Sequence, residues 1–237
     1  MENVMKSSLI HLSFIAALGF TATPALADFS VNVGAIGAMP SDSSSSLNVV
    51  EGVAGLPTNS TGVGVNNNTQ LGLTFDYRLS SNWGVQLVAA TPFSHDISGT
   101  GAIDGLKVGK TKHLPPTLLA QYHFDMANSK FQPFIGLGLN YTTFFDTKAD
   151  TELVGTLGAL GVTTASDEVS IKLTDSWGLA AQAGFNYHMT ETMGVHFMVS
   201  KIQLDTNASV RVNGNTVERV HVDIDPLVVM LGLRWSF

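Results

Sequence analysis

The stretch from Asp225 to Phe237, DPLVVMLGLRWSF, limits what this chain can fold into more than any other. Read at a period of two, Leu227, Val229, Leu231, Leu233, Trp235 and Phe237 share one side, while Val228, Met230, Gly232, Arg234 and Ser236 share the other. One face is wholly apolar. A half-buried strand of a soluble protein can alternate in this way, but an apolar face closing on two aromatics fits a strand that faces lipid and enters its interfacial belt. Lipid satisfies no backbone N–H or C=O, so such a strand needs partners that close a barrel.

Earlier stretches supply them. Phe29 to Gly37 alternates loosely; Thr69 to Arg78 sets Leu71, Leu73, Phe75 and Tyr77 against Gln70, Gly72, Thr74, Asp76 and Arg78. Trp83, Val85, Leu87 and Ala89 oppose Gly84, Gln86, Val88 and Ala90, and Pro92 ends that strand. A fourth strand is predicted from about Leu114 to Phe124, a fifth from about Gln132, a sixth over 176–187 and a seventh around Val195 to Ser200. With the last stretch this makes eight, each near the roughly 9 to 11 residues that a tilted membrane strand needs.

Connection lengths alternate as well. Long ones (40–67, 94–112, 144–173, 205–221) follow odd strands, and short ones (79–82, 125–131, 188–193) follow even strands. The predicted fold class is therefore all-β: an eight-stranded antiparallel transmembrane β-barrel with short periplasmic turns and long extracellular loops. A soluble barrel would turn its apolar residues inward, whereas here Leu, Trp and Phe share the outer face. Charged residues are only 13% of the chain and mean hydropathy is +0.21. No run of about 18 apolar residues follows the first segment, which argues against membrane helices.

Residues 1–27 read as a signal peptide, with Lys6, an apolar core from Leu9 to Phe20, and Ala25-Leu26-Ala27 as the cleavage site. Residues 28–237 are then one outer-membrane barrel domain. The chain has no cysteine, which removes disulfides, thiol catalysis and thiolate metal sites. Its net charge of −7 argues against nucleic acid, which calls for a basic stripe.

The runs NNTQLGLTFDY, GVQLVAATPFSHDI, HLPPTLLAQYHF, PFIGLGLNYTTFFD and DSWGLAAQAGFNY, with the Phe-terminated last strand, resemble the OmpW family of small outer-membrane barrels. The resemblance runs from about Phe29 to Phe237. It implies an eight-stranded barrel with a partly hydrophobic interior, of a kind proposed to pass small hydrophobic molecules into or across the outer membrane.

Several residues are candidates for such a role. Inward Val88, Leu119, Met198, Val228 and Met230 suggest an apolar ligand pocket in the outer half of the barrel. The inward glycines, Gly72, Gly138 and Gly184 among them, either leave room in the lumen or permit tight strand curvature. Toward the periplasm Asp76 should meet Arg78 or Arg234 and help close the lumen floor, because opposite charges in a narrow lumen are costly unless paired. Pro92, Pro115 and Pro116 lack ladder donors where two neighbouring strands end, so a lateral gap between those strands is expected. Loop one carries Leu47, Val49, Val50, Val53 and Leu56, apolar enough to fold over the mouth.

Chemistry is less well supported. Ser94, His95 and Asp96 are adjacent, but consecutive residues point in different directions and a triad is assembled by the fold. His113, His123, His188, His196 and His221 show no ligand spacing such as HExxH and read as polar filler of the lumen. No catalytic residue, metal or cofactor is expected. The expected partners are membrane lipids and lipopolysaccharide, small hydrophobic molecules, and the outer-membrane assembly machinery through the strand ending in Phe237. Two functions compete: a barrel that binds or passively conducts small hydrophobic molecules, releasing them sideways into the membrane, and a structural or surface-interaction barrel with a filled lumen.

Overall fold

The computed structural model describes residues 29–127 and 130–237. The expected signal peptide and part of the second short turn lie outside them. In chain order the first elements are β1 (Phe29–Met39), β2 (Ser43–Ser44), α1 (Asn48–Ala54), β3 (Thr61–Val65), β4 (Asn68–Arg78) and β5 (Trp83–Ala90). Next come β6 (Phe93–Gly101), β7 (Lys107–Leu114), β8 (Thr117–His123), β9 (Phe131–Ala149) and α2 (Thr151–Ala159). The last are β10 (Val169–Leu173), β11 (Ser176–His188), β12 (Met193–Ile202), β13 (Asp205–Val212), β14 (Asn215–Asp223) and β15 (Leu227–Ser236).

Eight of these close on themselves in the order β11-β12-β15-β1-β4-β5-β8-β9, with β9 pairing back to β11. All pairs are antiparallel. The alternation seen in the sequence becomes an outside and an inside. Leu137 is 72% exposed, Leu179 60% and Leu231 57%, while the residues between them turn to the axis. Only hydrocarbon makes such an outer surface stable. Aromatic pairs edge this band: Trp83–Tyr122 at 5.2 Å and Phe29–Phe237 at 6.2 Å on the short-turn side, Tyr141–Trp177 at 4.7 Å on the other.

Two short turns repeat one device. Leu79 and Ser80 both donate their N–H to the Trp83 carbonyl, and Met189 and Thr190 do the same to Met193. The hydroxyls of Ser80 and Thr190 accept from the N–H of Trp83 and Met193. A hydroxyl residue at the turn start thus replaces a ladder partner.

The glycines resolve toward curvature. A Cβ on Gly138 would lie 2.0 Å from the Leu118 carbonyl oxygen, and one on Gly184 2.2 Å from that of Phe197. These glycines let neighbouring backbones approach, and they leave no spare lumen space.

The long connections depart furthest from expectation. Instead of loops, they carry the wall upward. Strands β3, β6 and β7 continue the sheet on the outer part of β9, in the order β9-β7-β6-β3. A second, four-stranded sheet, β10-β13-β14-β2, stands apart from the barrel sheet. The connection at 205–221 is mostly a hairpin, turned at Asn213 and Gly214 with φ of 50° and 81°, as the Asn-Gly type I′ turn requires. Helix α2, in the long connection at 144–173, buries Leu153 and Leu157. Helix α1 buries Glu51.

Candidate functional site

Apolar side chains between the two extracellular sheets enclose a cavity of about 60 Å³, whose lining includes Leu47, Val63, Val108, Ile171, Val210 and Val222. Above it a second cavity of about 30 Å³ lies among Val50, Leu153, Leu157 and Val217, and shares Leu47, Val108 and Val210 with the first. Below it a third, also about 30 Å³, reaches the top of the barrel among Ile36, Val88, Phe93, Pro115 and Val228, and shares His113 with the first. The three form one apolar column. Since an apolar cavity of roughly 150 Å³ takes a benzene ring, side chains along this column must yield as a molecule passes.

The lowest cavity meets a break in the wall. β5 and β8 pair only as far as Val88↔Thr117, and β6 and β7 resume at Phe93↔His113. Between these points Ala89 to Pro92 face Leu114 to Pro116 without a ladder. Pro92, Pro115 and Pro116 have no N–H to give, while the Pro116 carbonyl still accepts from Tyr141 on β9. Ala89 belongs to the lipid-facing set of its strand, yet it lines the same cavity as inward Val88 and Val228. The cavity therefore reaches into the wall at the break.

Beneath the cavity the lumen is filled. Of the five residues proposed from sequence to line a pocket, Val88 and Val228 border the cavity; Leu119, Met198 and Met230 line none of the three and pack with Ile36 and Phe134 into a solid layer. Below that layer a chain of side-chain hydrogen bonds crosses the lumen. Gln121 donates to Gln182 (2.8 Å), Gln182 to Gln86 (2.8 Å) and Gln86 to Asp76 (2.6 Å). Asp76 also accepts from Asn32 (2.8 Å) and pairs with Arg234. Arg234 continues to Ser30 at 2.8 Å. Arg78 does not join this group: its guanidinium donates to the Ser81 carbonyl and to Gln132 near the turns.

Three further features escape a reading by spacing. Glu51, on α1, accepts from the N–H groups of Asn59, Ser60 and Thr61 and from the Thr61 hydroxyl. The Thr61 hydroxyl, above all, holds the Glu51 carboxyl below the usual glutamate range, and the three N–H groups add to this against the opposing effect of burial. Because the folded value is depressed, the stabilisation is present above the unfolded pKa and fades as pH falls through the folded one. The amide signals of Asn59, Ser60 and Thr61 should titrate together below the ordinary glutamate range, and Glu51→Gln should loosen them already at neutral pH; independent titrations would rule this anchor out.

Glu218 is the second: it accepts from the N–H groups of Val49 and Val50 and so caps α1 from the other sheet. Leu47 is buried beneath α1, while Val49 and Val53 stay exposed. The third is the placement of the histidines. His113 and His221 stand in the extracellular sheets rather than in the lumen, whereas His123 and His196 do face the lumen polar layer. Ser94, His95 and Asp96 form no triad: His95 bonds the Asn66 carbonyl and Asp96 pairs with Lys110.

A model of the OmpW family matches residues 26–237. The chain belongs to the OmpW family. It is 38% identical over 239 residues to outer membrane protein W of Vibrio cholerae serotype O1, covering 98% of this chain and 100% of that protein. The crystal structure of the outer membrane protein OprG from Pseudomonas aeruginosa is similar with a TM-score of 0.76 at 40% identity, covering 90% of this chain and 96% of that one. A more distant relative is the dibenzothiophene metabolism operon protein PahQ of Pseudomonas aeruginosa, 25% identical over 170 residues, or 72% of each chain. This OmpW-family chain is thus an outer-membrane β-barrel, with its apolar band in the lipid. Outer membrane protein W and OprG are named as membrane proteins rather than as enzymes.

Proposed function

We propose that this OmpW-family barrel takes up small, uncharged hydrophobic molecules from outside and releases them sideways into the outer membrane. The observation that carries the reading is an apolar column that ends at an unpaired stretch of wall, directly above a filled lumen. A molecule descending the column meets a mainly apolar lining until it reaches the packed layer of Leu119, Met198 and Met230. Going further down means breaking the hydrogen-bond chain from Gln121 to Arg234, whose buried groups would be left unpaired. Moving sideways past Ala89 and Pro115 costs no ladder bond. The name of PahQ supports an apolar ligand, since dibenzothiophene is a neutral, planar aromatic.

The test uses vesicles with lipopolysaccharide in their outer leaflet and N-phenyl-1-naphthylamine, a dye that fluoresces on entering hydrocarbon. Inserted protein should speed the rise in fluorescence, while planar bilayers carrying it show no steady ionic current. A porin-like current, or entry no faster than in bare vesicles, would defeat the reading and leave a structural or surface-interaction role.

A further inference from the structure

Two buried imidazoles stand where the main cavity joins the one below it. His113 is 7% exposed and His95 3% exposed, and both line the main cavity. Their rings stack at 5.0 Å with planes 7° apart, and Phe93 stacks on His113 at 5.3 Å. His95 Nδ1 lies 2.6 Å from the Asn66 carbonyl oxygen. A carbonyl only accepts, so the proton sits on Nδ1 and Nε2 keeps a lone pair. That lone pair has no hydrogen-bond partner among the described residues, and neither ring nitrogen of His113 has one. A ring nitrogen without a partner, on a side chain that borders a largely apolar cavity, is open to the polar group of a ligand.

We propose that His95 and His113 form a recognition point for the hydroxyl group of a neutral hydrophobic molecule, an alcohol or a phenol, in the extracellular cavity. The inference rests on the uptake reading above and names the ligand class. A hydroxyl both donates and accepts. It can give its proton to His95 Nε2, which can only accept, and take one from the N–H of His113. A ketone, ether or ester cannot donate and leaves His95 unmet. A hydrocarbon leaves both rings unmet.

Ionised ligands fit worse. The nearest cations on β7, Lys110 and Lys112, are exposed and paired to Asp96 and Asp146 outside the cavity. Burial, with the neighbouring His95 adding to it, pushes His113 down to about 3. Burial also lowers His95, against partial opposition from the Asn66 carbonyl and Asp96. Both rings are therefore neutral at neutral pH, and a carboxylate would be buried without a counter-charge.

Protein with 15N-labelled histidine rings, held in lipid nanodiscs, is titrated with 4-ethylphenol and with ethylbenzene, and partition into empty nanodiscs is subtracted. The phenol should bind about tenfold more tightly and shift the ring nitrogens of His95 and His113 but not those of His123 or His196. His113→Phe, which keeps the ring stack, should bring the two affinities within about twofold of each other while ethylbenzene still binds. Equal affinities in the unaltered protein, unmoved ring nitrogens, or a preference that survives both His113→Phe and His95→Phe would overturn the proposal. If a variant does not assemble, the ring shifts of the unaltered protein decide alone. Binding and entry of ethylbenzene with no ring shift would refute the hydroxyl preference and leave the uptake reading standing; binding of neither compound would remove both.

Discussion

Asp76→Ala should destabilise the barrel by about 3–5 kcal/mol, because it leaves the Arg234 guanidinium buried without its counter-charge. The loss should spread beyond the pair. Asp76 also accepts from Asn32 and Gln86, so its removal frees donors on two neighbouring strands as well as the arginine. Removing both charges, with Asp76→Ala and Arg234→Leu together, should recover much of the difference, since a buried pair replaced by apolar groups is often nearly neutral. Urea unfolding from lipid vesicles measures all three variants and yields the coupling between the two sites. A single Asp76→Ala variant within about 1 kcal/mol of the parent would show that the network beneath the lumen is not held together by this pair.

Pro115→Val with Pro116→Val should slow hydrophobic uptake by about tenfold or more while leaving the protein folded. Each valine brings back an N–H where the proline had none: at 115 it points to the β5–β6 side, where Ala89 to Pro92 now face it unpaired, and at 116 it points to β9, which the Pro116 carbonyl already bonds. One or two added ladder bonds at roughly 0.5–1.5 kcal/mol each are enough to shift an opening equilibrium by that factor. The dye-entry rate in vesicles bearing lipopolysaccharide reads the effect. Valine variants that pass the dye at the parental rate would place the exit elsewhere.

The barrel was legible because its pattern is local. Leu179 and Phe185 face lipid for the same reason that Gln182 and Asn186 face the axis, and both facts follow from a period of two within one strand. The lumen floor was partly legible: charge in a narrow barrel demands a partner, yet the choice of Arg234 over Arg78 depends on registers across β15, β1 and β4 that no single strand reveals. The lumen layer turns on distances between strands. Leu119, Met198 and Met230 are apolar and inward as expected, but whether such residues line space or fill it depends on how closely strands approach, which Gly138 and Gly184 set by contact with neighbouring backbone.

The extracellular sheets were hidden for another reason. Their strands are short and interrupted by Gly, Thr and Ser, so each reads as loop until it meets its partner. One signal was present and overlooked: Asn213-Gly214 stands between Ala208, Val210 and Val220, Val222, an arrangement that specifies a hairpin. The stacked histidines could not be found this way. His95 and His113 come together through the pairing of β6 with β7, and that His95 keeps Nε2 free after bonding Asn66 is a property of the assembled cavity.

The stopper made by Leu119, Met198, Met230 and the glutamine chain meets the column above it only at Ile36. Under the uptake proposed above, a cell could carry many copies of this barrel without opening a path for ions or other hydrophilic solutes. Barrier and uptake would then be set by different parts of one small protein, and a substitution in one could leave the other intact.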